Sequence, residues 1–131
     1  MKFYLAGRYA RRVELKAYAK QLKALGHIVT SSWLNERMAA GADYALIPPR
    51  FWREHAIQDI EDLDKADTIL SFTEEKGSYQ RGGGRHTEFG YALAKHKKLF
   101  LVGPKEMIFH FLPEVKCFMS FEEFLEKLNA L

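Results

Sequence analysis

A chain of 131 residues fits a single domain and is long enough to bury about two thirds of the surface its unfolded form exposes. Apolar residues at 47% and charged residues at 28%, with no biased tract and no repeat, exclude disordered, fibrous and repeat architectures. The net charge of +3 is mild, but Arg8, Arg11 and Arg12 gather at one place and Arg81 and Arg85 at another, a distribution that suits a small anion. No basic helix, zinc-finger spacing or aromatic RNA-binding signature accompanies that charge, so a nucleic-acid partner is not expected. The apolar runs are far shorter than the ~18 residues of a membrane span, and the start MKFYLAG lacks a secretory apolar region, so a soluble cytoplasmic protein is expected. The lone Cys117 can make neither an internal disulfide nor a zinc site, and no structural metal is expected.

In chain order, Lys2 to Gly7 (KFYLAG) is a short apolar run broken by glycine, the form of a buried first strand. From Arg11 to Leu25, Leu15, Tyr18, Leu22 and Leu25 recur at helical steps, and Gly26 is the stop. His27 to Ser32 reads as a second strand by β-branching, which completes a strand–helix–strand unit of crossover size and predicts a parallel sheet. Trp33 to Pro49 has no clean period and reads as a long loop, with a short helical turn near Asn35 to Ala40. Trp33, just past the second strand, falls where such sheets bind ligands; it suits base stacking and core packing equally.

Arg50 to Ala66 is helical, and Asp59 shares its apolar stripe with Ala56, Ile60 and Leu63. A carboxylate on a packed face is expensive unless it is paired or used; His55, one turn earlier, is the available partner. Glu61, Asp62 and Asp64 fall on other faces and read as solvated charge. Asp67 to Thr73 is a third strand, a helix runs from about His86 to His96, and Leu99 to Gly103 is a fourth strand. A weaker fifth strand around Lys116 to Met119 precedes a closing helix, Phe121 to Leu131. This order specifies an α/β fold: a doubly wound, five-stranded parallel sheet of the flavodoxin or Rossmann kind with helices on both faces.

The central stretch RGGGRHTEFGYAL, Arg81 to Leu93, carries the chemistry. Consecutive glycines let the backbone approach a ligand, and the helix that follows turns its first N–H groups to the same spot, which favours a phosphate or carboxylate. Glu88 falls in the first turn, where the helix dipole favours its ionised form and a nucleophilic role; the alternative is an ordinary first-turn helix acid.

With FYLAGR at the start, Asp59 eight residues before the Ala66-Asp67 pair, GGRHTEFGYALA in the centre and VGPKEMIFHFLPEV afterwards, the chain resembles the nucleoside 2-deoxyribosyltransferase superfamily, closest to its nucleoside 5′-monophosphate N-glycosidase branch. The resemblance covers nearly the whole chain, implying one such domain over residues 1–131. It implies that Glu88 attacks the anomeric carbon of the sugar, that Asp59 orients the sugar and handles protons, and that Tyr4 lies beside the nucleophile. Gly82, Gly83, Gly84, Arg85 and Ser78 match the loop that receives a 5′-phosphate. It further implies a nucleotide or nucleoside as the small-molecule partner, no organic cofactor, and a homodimer or larger assembly, for which Phe109 to Pro113 is the candidate contact.

Two departures stand out. Some transferases carry an aspartate six residues before the nucleophile, where this chain has Gly82, which argues against base exchange. The arginine that follows the first strand in the nucleotide-hydrolysing branch falls near Ala10 here, leaving Arg8 or Arg11 as substitutes. The expected reaction is hydrolysis of a (deoxy)ribonucleoside 5′-monophosphate to base and sugar 5-phosphate; the alternatives are 2-deoxyribosyl transfer and nucleotide binding without turnover.

Overall fold

The computed structural model describes residues 1–36, 46–74 and 83–131. Five parallel strands, β1 (Lys2–Ala6), β2 (Ile28–Val29), β3 (Thr68–Phe72), β4 (Lys98–Val102) and β5 (Val115–Phe118), form one sheet in the order β2-β1-β3-β4-β5. That is the doubly wound order in which the chain reverses direction between β1 and β3, leaving a crevice at their C-terminal ends. The helices are α1 (Arg12–Ala24), α2 (Pro49–Lys65), α3 (Gly84–Ala94) and α4 (Phe121–Lys127).

Strand alternation assigns the two faces. Phe3 packs edge-on against Phe124 of α4, and Tyr18 of α1 stacks on Phe121 of α4 at 4.1 Å, so α1 and α4 cover one face. Tyr4, one residue on, is fully buried toward the opposite face, where α2 and α3 pack; Tyr91 of α3 donates to Asp64 of α2 there. β3 and most of β1 and β4 are buried throughout, and their apolar side chains form the core with Leu15, Leu22, Leu63, Phe89 and Phe124.

The predicted element order holds, with differences at the ends. The second strand is only two residues long, because side chains take over its ladder: Thr30 N–H still bonds Phe3 O at 2.8 Å, but Leu5 N–H donates to Ser31 Oγ and Leu5 O accepts from Trp33 Nε1. A 3-10 turn stands at Ser32–Asn35; of the short helical turn expected near Asn35 to Ala40, residues 37–40 lie outside the described residues. The central helix starts two residues early at Gly84 and ends at Ala94, with His96 in the left-handed region (φ 58°). Gly26 (φ 91°) stops α1 as predicted. Ser120 caps α4 by accepting from Glu123 N–H, while Glu123 accepts from Met119 N–H.

Asp62 is a correction. Expected as solvated charge, it is 3% exposed and accepts from Ser32 N–H, Ser32 Oγ and Gln58 Nε2. A buried carboxylate needs such partners, and here it ties α2 to the chain leaving β2.

Candidate active site

Three residues far apart in sequence meet on the α2–α3 face. Tyr4 reaches it from the middle of β1, and its hydroxyl donates a short hydrogen bond to Glu88 Oε2, on the second turn of α3. Burial, then the charge of Glu88, pushes the tyrosine far above its ordinary value, so it stays a donor at any working pH.

Glu88 departs from expectation. Its carboxyl is pushed up to about 8, first by burial; the Tyr4 hydrogen bond opposes this and the charge of Asp59 adds to it. The helix dipole therefore does not keep it ionised, because it acts at the open end of α3 whereas the carboxyl lies in a desolvated place one turn further in. Asp59, on α2, is pushed up to about 6, again first by burial and then by the charges of Glu36 and Asp62. Its Oδ1 is buried with no partner among the described residues. His55 is not that partner: its Nδ1 lies 2.7 Å from Glu36 Oε1, so the expected His55–Asp59 pair is replaced by a His55–Glu36 pair.

The open end of α3 lies on the same edge. Gly83 and Gly84 are exposed, and a Cβ added at either meets nothing within 4 Å, so a ligand can approach this backbone. Gly82 and Ser78 lie outside the described residues. Arg8, 38% exposed, pairs with Glu74 Oε1 at 3.2 Å, and Arg11 takes Glu74 Oε2 at 3.3 Å. Both arginines thus stand at the C-terminal ends of β1 and β3, partly neutralised.

Of two other predicted residues, Arg85 is placed differently from expectation and Trp33 takes the core-packing alternative of its two readings. Arg85 turns inward and forks onto both carboxylate oxygens of Glu106, with Nη2–Oε2 at 2.8 Å. Trp33 is 7% exposed with its indole N–H spent on Leu5 O, so it packs in the core, where it completes the ladder that β2 abandons. Sequence reasoning missed Glu106 and Glu36; both stand just past a strand, β4 and β2, on the edge where such sheets bind ligands, and that position was the available signal. Among the described residues, no group of three or more His, Cys, Asp or Glu side chains is placed to hold a metal ion, and no helix is long and apolar enough to cross a membrane.

No protein-family model and no curated protein matches the chain. Solved structures do. The CMP N-glycosidase BcmB of Clostridium botulinum superposes with a TM-score of 0.60 at 18% identity, each chain covered in full. The 2-deoxyribosyltransferase of Bacillus psychrosaccharolyticus superposes with a TM-score of 0.65 at 21% identity over 93% of this chain and 88% of that one. The chain has the fold of these two enzymes. A conserved protein of Enterococcus faecalis V583 shares it too, with a TM-score of 0.66 at 15% identity over 99% and 98% of the two chains.

Proposed function

We propose that the protein hydrolyses the N-glycosidic bond of a (deoxy)ribonucleoside 5′-monophosphate, releasing the free base and the sugar 5-phosphate. The carrying observation is the pair of desolvated carboxyls, Glu88 held by Tyr4 and Asp59 with a buried oxygen that has no partner among the described residues, on the edge where Gly83 and Gly84 open the end of α3. A fold shared with a CMP N-glycosidase and a 2-deoxyribosyltransferase supports the reading.

Cleavage of such a bond builds positive charge on the anomeric carbon, which a carboxylate stabilises and then traps. Tyr4 holds Oε2 of Glu88, leaving Oε1 to attack. As the Oε1–C1′ bond forms, the C1′–N bond breaks and its electron pair leaves with the base, which takes the proton of Asp59. Water then attacks C1′ and gives its proton to Asp59, and the sugar leaves Glu88. Two carboxyls whose environments separate their values, about 8 and about 6, share one proton between those values; it rests mainly on Glu88, and the reactive form is the minor one in which it has moved to Asp59 and left Glu88 ionised. The 5′-phosphate lies against the N–H groups at the start of α3, with Arg8 at the rim.

The experiment is chromatographic detection of free base from ribo- and deoxynucleosides and their 5′-monophosphates. Release from monophosphates, unchanged by an added acceptor base, is expected. A new nucleoside formed only with an acceptor would establish base exchange instead, and binding without release would establish a nucleotide-binding module. We further propose that the protein works in the cytoplasm, as its exposed free Cys117 suits, and as a homodimer or larger assembly. Ile108, Phe109 and Phe111, 77%, 51% and 66% exposed, form the apolar surface that supports such an assembly.

A further inference from the structure

Glu106 is spent on contacts that the proposed chemistry does not use. It sits in the chain after β4, and its side chain is 10% exposed, against 6% for Arg85. The Arg85 fork occupies both of its oxygens, and Oε1 also accepts Glu74 N–H at 3.3 Å. Its own N–H donates to Nδ1 of His110, at 3.0 Å. His110 is 1% exposed and held near 4, first by burial, so it stays neutral as this bond requires. Its carboxylate thus ties the exit of β3 to the first turn of α3, and the backbone of the same residue joins them to the 3-10 turn at Ile108–Phe111.

A buried ion pair is a poor source of stability, since well-packed apolar residues of the same volume usually do as well. What a bidentate pair adds is geometry, because a planar fork on a carboxylate fixes distance and angle together. Here the geometry fixed is the separation between Glu74 and Arg85, the chain ends on either side of the glycine-rich stretch. We infer that Glu106 is a positioning residue: through Arg85, Glu74 N–H and His110 it sets the placement of the α3 entry against β3, and so the width of the mouth that takes the 5′-phosphate. Arg85 accordingly acts through Glu106 and is not the phosphate's own ligand.

The kinetic part of the test rests on the proposed function; the exchange part does not. In Glu106→Gln, amide hydrogen exchange is expected to speed up about tenfold at Glu74 and over 83–89, with α1 and β4 unchanged. The KM for a nucleoside 5′-monophosphate is expected to rise about tenfold with kcat changed less than about threefold, since Tyr4 still holds Glu88. The double variant Arg85→Met with Glu106→Met is expected to melt within a few degrees of wild type and still show the raised KM. Unchanged exchange at these amides, a uniform rise across the chain, or a lowered KM, which would mean that Glu106 masks a phosphate-binding Arg85, would each overturn the inference. If the wild type releases no base, the proposed function fails and the exchange result alone decides the positioning role.

Discussion

At the scale of single residues, the two carboxyls govern behaviour with pH. With values of about 6 for Asp59 and about 8 for Glu88, the singly protonated pair dominates between them, so kcat/KM is expected to be bell-shaped with limbs near those values. A flat profile from pH 5 to pH 9 would contradict that. Asp59→Asn leaves one titrating carboxyl and hence a single rising limb, with its midpoint below 8 because the charge that helped to raise Glu88 is gone. Tyr4→Phe removes the donor that favours the Glu88 anion, so the upper limb moves to higher pH and the maximum falls about tenfold. Stability follows the same signs. Both folded values lie above the ordinary carboxyl range, so the folded chain holds these protons more tightly than the unfolded chain. The stabilisation is complete below the ordinary range and is lost as pH rises through about 6 for Asp59 and about 8 for Glu88. Calorimetry at pH 9 should therefore show Glu88→Gln melting several degrees above wild type, an inactive but more stable chain.

At the scale of elements, two joints hold the site edge. Asp62 bonds Ser32 twice and Gln58 once, fixing α2 against the chain that leaves β2. Asp62→Ala would orphan those donors, and urea unfolding should show a loss of about 2–3 kcal/mol. Gly103 ends β4 at φ 114°, and a Cβ there would stand 2.4 Å from Thr73 Oγ1 and 3.1 Å from Thr73 O. Gly103→Ala combines a left-handed backbone with a clash against β3, and is expected to cost about 2–4 kcal/mol by the same measurement. Ser120→Ala, which removes only a cap, should cost about 1 kcal/mol.

For the whole molecule, the sheet was legible because its information is local and periodic. β-Branched and apolar runs end in glycine, and helical stripes lie between them, so strand count, parallel order and the two helical faces followed. What escaped was set by side chains bonding across the fold. Nothing near Trp33 shows that its indole completes the ladder of β1, nothing around Asp62 shows that Ser32 will meet it, and Arg85 gives no hint of Glu106, 21 residues on. For the candidate site, Tyr4, Asp59 and Glu88 were singled out by their positions and by the resemblance; the structure places Tyr4 and Glu88 in contact, and their part in catalysis is what the proposed function adds. The ionisation of Glu88 was not, because the helix dipole can be read from sequence and desolvation cannot. The central claim is that this face breaks a glycosidic bond through Glu88. Wild type and Glu88→Ala should be incubated side by side with nucleoside 5′-monophosphates and the free base measured by chromatography. Base and sugar 5-phosphate from the wild type, with release at least about a thousandfold slower from the variant, is the expected result. Release at equal rates, or none from either, would contradict it.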